Sequence, residues 1–309
     1  MSGETVGSIL AITLTLTPSV LYAALGEIIG ERAGIVNIGI EGIMLIAAAV
    51  GFAVAVVSGN AYVGLLAGAA AGVVCNLVLA ALVVGLGTNQ LASGFAIFFL
   101  GGGISMLIGA KFIGSNVGGL GKLALPGLSS LSQPWDEIFK QDVLVWLMVP
   151  AAVALWWVLF RTRWGLRLRA VGEDKDFSFA SGLHPRRIQY QALAIAGAFY
   201  GVAGADLILA YTKTWQDGIT AGRGFIAIAI VILALWHPVR AIFGALLFSA
   251  AVAVGIQLQS QGSPVSPFVL NMLPYVVTIA VVLLWGRPKA FTVPAGLRNV
   301  FAGTAQAER

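Results

Sequence analysis

Few side chains in this sequence are of a type that does chemistry. Glu41 and Asp206 are carboxylates inside apolar runs, and Arg223 is a guanidinium at the head of another. An unpaired charge in lipid costs about 2.5–3.5 kcal/mol on insertion scales, so Glu41 and Arg223 are expected to face protein or water. Asn37, Asn89, Gln90 and Ser93 add amides and a hydroxyl near helix starts, groups that can hydrogen-bond a polar solute in passage. Asn37, Glu41, Asn89, Gln90, Ser93 and Arg223 are therefore the candidates for a solute pathway. Two structural roles stay open beside that one: Glu41 pairing with Arg32 at a rim, and the amides capping helices. Asp206, late in its run, is expected to snorkel to the nearer surface. Tyr211, Trp215 and Trp236 lie at run ends, where they either anchor the chain at an interface or stack on a base.

Other chemistries fail on spacing. Gly118-Gly119-Leu120-Gly121-Lys122-Leu123 lacks the first Gly and the final Ser or Thr of a phosphate loop. Gly222-Arg223-Gly224-Phe225-Ile226-Ala227 fits only the loosest dinucleotide pattern, with no strand–turn–helix unit around it. His184 and His237 fall in different loops without a Cys cluster, so no metal site is expected. No Ser–His–carboxylate set can be drawn, and no catalytic residue is proposed for the chain. Cys75, the one cysteine, cannot form an intrachain disulfide.

The elements that must position these residues follow from composition. Of 309 residues 59% are hydrophobic and 10% charged, and mean hydropathy is +0.93. A soluble domain carries about 25% charged residues, so lipid must be the solvent for most of this surface. The +5 net charge marks topology rather than a nucleic-acid partner. A span needs roughly 20 apolar residues, and such runs occur near 8–26, 34–57, 61–86, 90–112, 142–160, 189–212, 222–236, 239–259 and 268–286. Backbone groups in lipid must be satisfied within the segment. The fold class expected is thus an all-α integral membrane protein of about nine transmembrane helices, one domain over 1–309. Residues 1–8 carry Glu4 and no basic residue, so the first run reads as a retained span rather than a cleaved signal.

Basic residues orient the spans. Segment 161–187 holds Arg161, Arg163, Arg167, Arg169, Lys175, Arg186 and Arg187 and is assigned to the cytoplasm. Alternating spans add Arg32, Arg240, Arg287, Lys289, Arg298 and Arg309 inside, and leave Lys111, Lys122, Lys140, Lys213 and Arg223 outside. The C-terminus is then cytoplasmic and the N-terminus external. Small residues recur at four-residue spacing at Gly64, Gly68 and Gly72, at Gly30 and Gly34, and at Gly197 and Gly201, a pattern of close helix packing. Segments 34–42 and 218–225 are both Gly-punctuated, carry one charge each, and open Ile/Ala-rich runs from opposite sides. That is the pattern of an inverted repeat whose interrupted helices meet near the midplane.

Within 161–187 the stretch Glu173-Asp174-Lys175-Asp176-Phe177-Ser178-Phe179-Ala180-Ser181-Gly182 mixes both signs with apolar side chains. It suits a short helix that shows an apolar face to a soluble partner, with a basic loop beside anionic lipid as the alternative.

Four stretches make the sequence recognisable: Gly30-Glu31-Arg32-Ala33-Gly34-Ile35-Val36-Asn37-Ile38-Gly39-Ile40-Glu41-Gly42, then Gly165 through Glu173, Gly197 through Ala205, and Thr220 through Ala227. In order and spacing they resemble the permease subunits of nucleoside and simple-sugar ABC importers, a group that includes ribose and branched-chain amino-acid permeases. The likeness extends from about residue 8 to 290. It implies a type II-like importer fold in a bacterial inner membrane and a second, often distinct, permease subunit. It also implies an extracytoplasmic solute-binding protein and an ATP-binding subunit that uses ATP and Mg, with no cofactor on this chain. By the same resemblance the coupling helix lies at 173–184, with Glu173, Asp174, Phe177, Phe179 and Gly182 as docking residues; Phe177-Ser178-Phe179 stands where small residues are usual. A stand-alone secondary transporter of a small polar solute is the alternative. It would need coupling-ion carboxylates in the spans, where the sequence offers only Glu41 and Asp206, in different runs.

Overall fold

The computed structural model describes residues 3–124, 135–285 and 294–297. Its first helix, α1 (Gly3–Arg32), runs longer than the apolar window that predicts it. After a turn come α2 (Ile40–Ser58), α3 (Ala61–Ala80, prolonged to Gly85 by a π turn) and α4 (Gln90–Gly109, prolonged to Phe112). Strands β1 (Lys122–Ala124) and β2 (Lys140–Asp142) pair antiparallel and flank the short α5 (Trp135–Ile138). Then follow α6 (Val143–Arg161), α7 (Arg163–Glu173) and α8 (Lys175–Ala180). The last group is α9 (Pro185–Asp206, prolonged to Thr212 by a π turn), α10 (Arg223–Leu233), α11 (Pro238–Ser260) and α12 (Pro267–Trp285).

Among the described residues seven helices are long and apolar enough to cross a membrane: α1, α2, α3, α4, α6, α9 and α11. The windows 222–236 and 268–286 hold shorter apolar stretches, Arg223–Leu233 and Pro267–Ala280. The nine windows thus hold seven helices of spanning length, the shorter α10, and α12, whose apolar stretch is described over Pro267–Ala280. Residue 286, the end of the ninth window, lies outside the described residues, as do Arg287, Lys289, Arg298 and Arg309 of the charge tally.

Glycine faces decide how closely the central helices pack. On α3, a Cβ at Gly68 would sit 2.7 Å from Ala205 Cβ and 3.0 Å from Ala47 O, and one at Gly72 would sit 2.7 Å from Gly201 Cα. Helices α2 and α9 therefore lie backbone-to-backbone against α3, which needs these residues small. Helix α1 is buried from Leu16 to Glu31, enclosed by α6, α9, α10 and α11. By contrast α3 and α4 leave Leu66, Phe99, Met106 and Leu107 exposed, as a lipid-facing surface does.

The molecule has two distinct ends. One gathers Arg32, Gly34, Gly172 and Trp236: Gly34 packs on Gly172, and Arg32 Nη2 donates to Trp236 O at 3.2 Å. The described residues 294–297 join this end, where Ala295 N donates to Glu173 Oε2 at 3.0 Å. The other end gathers Gly59, residues 116–119 and Lys213, with Asn116 bridged to Thr214.

Candidate functional site

The two Gly-punctuated segments meet through one carboxylate. Helix α10 starts at Arg223, and Gly222 before it has φ +80 with no side-chain cap of its own. Its free N–H groups are served instead by Glu41, in the first turn of α2. Glu41 Oε1 accepts from Thr220 Oγ1 at 2.6 Å and from Gly222 N at 2.7 Å, while Oε2 accepts from Gly224 N at 2.7 Å. A helix N-terminus carries unpaired donors and partial positive charge, which a carboxylate matches. Glu41 makes no bond to Arg32, so the rim pairing is not formed; Arg32 is held by Trp236 O.

The turn before α2 is wired by amides. Asn37 Oδ1 accepts from Gly39 N at 2.8 Å, and its Nδ2 donates to Asn76 Oδ1 at 3.0 Å. Asn76 Nδ2 in turn donates to Leu193 O at 2.6 Å. Gln90 brackets the same turn, with Oε1 accepting from Val36 N at 3.0 Å and Nε2 donating to Gly34 O at 3.3 Å. Asn89 caps α4 by accepting from Leu91 N and Ala92 N. Ser93, buried, shares a 2.8 Å hydrogen bond with Thr88. Of the six sequence candidates the structure draws Asn37, Glu41 and Gln90 to one turn and links Arg223 to it through Glu41. Asn89 and Ser93 lie at the neighbouring start of α4.

Arg223 stands apart because it borders open space. Its Nη1 donates to Ile219 O at 3.4 Å and Thr220 O at 3.2 Å, and Tyr211, Glu41, Tyr275 and Asp206 lie within electrostatic reach. It lines a cavity of about 290 Å³ with Asn271, Tyr275, Phe248, Leu270 and Pro274. Tyr275 donates its hydroxyl to Ala221 O at 3.0 Å, and its ring meets Phe248 edge-on. Such a pocket offers N–H donors, an amide and aromatic faces to an uncharged polar molecule. Sequence reading missed Asn271 and Tyr275, which carry no motif.

Several expectations are corrected. Asp206 does not snorkel: it is 2% exposed, and its Oδ1 has no hydrogen-bond partner among the described residues. Trp236 is not an interfacial anchor but buried, its indole N–H donating to Glu31. Trp215 is buried too and donates to Asp217 at 3.1 Å. Arg223 is the first residue of α10, its guanidinium folded back on Ile219 O and Thr220 O. The spans hold two further carboxylates, Glu27 and Glu31, both fully buried on α1. The helical spacing of Glu27 and Glu31, one turn apart, was the available signal.

At the basic end, Asp174 ends α7 and caps α8, its Oδ1 accepting from Phe177 N at 2.9 Å. Gly182, at φ +82, closes the turn after α8. Phe177 and Phe179 are each 71% exposed, while Ser178 between them is buried. Beside them a cavity of about 780 Å³ is lined by Lys175, Phe179, His184, Arg186 and Arg187. Burial lowers the Lys175 ammonium from its ordinary range, and Asp176 partly restores it.

Comparison with known proteins places this geometry. The family described as branched-chain amino acid transport system / permease component matches residues 9–284. A Haloferax volcanii protein provisionally named as a glucose ABC transporter permease is 34% identical over 88% of this chain and 90% of its own length. The guanosine ABC transporter permease NupQ of Bacillus subtilis is 31% identical over 93% of this chain and 95% of its own. The nucleoside ABC transporter permease NupC of Lactococcus lactis is 30% identical over 91% and 93%. No solved structure matches. Matched over most of its length and built from membrane-spanning helices, the chain belongs to the branched-chain amino acid transport system permease-component family and is a multi-pass permease of an ABC importer.

Proposed function

We propose that this permease translocates a nucleoside or simple sugar, handed over by an extracytoplasmic binding protein, through a pathway shared with a second and distinct permease subunit. ATP and Mg are used by a separate ATP-binding subunit, to which catalysis is assigned in place of this chain. It resides in a bacterial inner membrane with its C-terminus cytoplasmic. That side is supported by the contact of residues 294–297 with the basic segment 161–187, which is the cytoplasmic coupling loop of this single-domain permease.

The observation that carries the reading is α8, six residues long, which holds Phe177 and Phe179 outward on a charged segment. Two adjacent exposed aromatics on so short a helix suit insertion into a groove of a soluble partner. Glu173, Asp174 and Gly182 shape that element. On the solute side, Arg223 is the contact residue of the six candidates, with Tyr275 and Asn271 beside it. Glu41, Asn37 and Gln90 hold the two interrupted segments in place around it, with Asn89 and Ser93 at the neighbouring start of α4. The pocket's chemistry supports the named solutes of the relatives, since hydroxyl-rich rings accept from a guanidinium and stack on aromatics.

The test is reconstitution with the partner subunits. Phe179→Asp is expected to abolish co-purification with the ATP-binding subunit while insertion is kept. Arg223→Gln is expected to leave assembly intact and cut uptake at least about tenfold, the loss of one charge-assisted hydrogen bond. Uptake by the isolated chain on an ion gradient, or unchanged co-purification of the Phe179 variant, would sink the reading.

A further inference from the structure

The buried carboxylates of α1 have no part in the transport scheme above, and their hydrogen bonds form an incomplete set. Glu27 Oε1 accepts from Asn37 N at 2.9 Å, and Oε2 accepts from the Tyr200 hydroxyl on α9. Glu31 Oε2 accepts from the Trp236 indole N–H. Glu31 Oε1 is buried with no donor among the described residues, and Glu27 and Glu31 stand one turn apart on the same face of α1. Both side chains are fully buried. Two adjacent carboxylates cannot both stay ionised in such surroundings without cations between them.

The charged groups nearby do not supply them. On the same helix Arg32 spends its guanidinium on Trp236 O and on the Phe160 ring face at 5.6 Å. On α7, Arg169 and Glu173 act on Arg32 with opposite signs, and Arg169 also lies over Phe160. On the α10–α11 turn, burial, with Arg240 and Arg32 beside it, holds the His237 imidazole below its ordinary range, so at neutral pH it is uncharged. Helix α9 presents only the Tyr200 hydroxyl. One guanidinium therefore stands against two carboxyl groups.

We propose that Glu27 and Glu31 form a proton-binding site inside the membrane, with the proton on Glu31 Oε1 donated to the Glu27 carboxylate. A single proton then completes every valence. Glu27 becomes an anion with three donors, from Asn37, Tyr200 and Glu31. Glu31 becomes a neutral acid that donates through one oxygen and accepts Trp236 through the other, and the remaining negative charge is balanced by Arg32. The site joins α1, α9, the α10–α11 turn and the turn before α2, so the proton is a fastener between four elements. It does not depend on which solute is carried.

The assignment is asymmetric, which makes it testable. Gln at position 31 can donate to Glu27 and accept from Trp236, reproducing the protonated acid. Gln at 27 must turn an NH₂ group toward Asn37 N–H or Tyr200. Infrared spectra of the purified, lipid-reconstituted chain at neutral pH are expected to show that Glu31→Gln removes one protonated-carboxyl C=O absorption. The same variant should have a Tm no lower than wild type at neutral pH, while Glu27→Gln lowers it by on the order of 5 °C. A carboxyl protonated only in the folded state loses stability as pH rises from the unfolded carboxyl range to its folded one, so wild-type Tm should fall across that window and that of Glu31→Gln should not. Loss of an ionised-carboxylate band alone in Glu31→Gln overturns the proposal. So does failure of Glu31→Gln to accumulate in the membrane, since Gln makes every bond assigned to the protonated acid.

Discussion

The turn before α2 and the loop before α10 solve the same problem in opposite ways. Each must join one helix to the next among packed helices, where buried backbone groups need partners within the protein. The turn at 33–39 is pinned from several sides by neutral amides and one carboxylate: Asn37, Gln90, Gln189 on Ala33 O at 2.9 Å, and Glu27 on Asn37 N. The loop at 213–222 instead bends at Lys213, Gly218, Ala221 and Gly222, all with positive φ. At the start of α10 its N–H groups share one carboxylate, Glu41, while Tyr275 donates to Ala221 O and Asn116 bridges Thr214. Ala221 pays for that bend with a conformation a side chain dislikes. The first segment is tied by several side chains; the second relies on one carboxylate at the start of α10 and borders the open cavity.

Substitutions can break or sharpen this contrast. Glu41→Ala should have the largest effect, on the order of 3 kcal/mol, because Gly222 N, Gly224 N and the Thr220 hydroxyl lose their acceptor together. A Tm within error of wild type would show that the loop is held otherwise. Asn37→Ala should cost about 2 kcal/mol, since Gly39 N and Asn76 Oδ1 each lose one partner but Gln90 and Glu27 still hold the turn. If thermal unfolding ranks it above Glu41→Ala, the scaffold is not redundant. Asn89→Ala, which removes an exposed cap outside both segments, should cost about 1 kcal/mol and leave uptake unchanged.

Much of the fold is legible in the sequence because lipid imposes a length and a composition on each span. The windows near 61–86, 90–112 and 239–259 match α3, α4 and α11 to within a few residues. Gly64, Gly68 and Gly72 announce the close packing that α3 makes. What escapes is polar matter buried inside spans. The window 8–26 stops at Glu27 since a lone carboxylate in lipid is costly, but α1 continues to Arg32 because Tyr200 and Trp236 reach Glu27 and Glu31 from far along the chain. Those partners cannot be read from local pattern, and for the same reason Asp206 and Trp236 were placed at surfaces. The likeness of segments 34–42 and 218–225 was visible in their glycines, whereas the carboxylate that ties them was legible only as a charge needing company.

Gly34 adopts φ +80, and a Cβ built there would lie 3.3 Å from Gly172 Cα. The two main chains therefore touch with no compressible cushion between them, and α8 begins just beyond, after Asp174. On the proposed docking at α8, a push at Phe177 and Phe179 would reach the turn before α2 through α7 as through a rigid strut. Bulk added at either glycine would act like a shim, prying the strut away from the hinge it presses on.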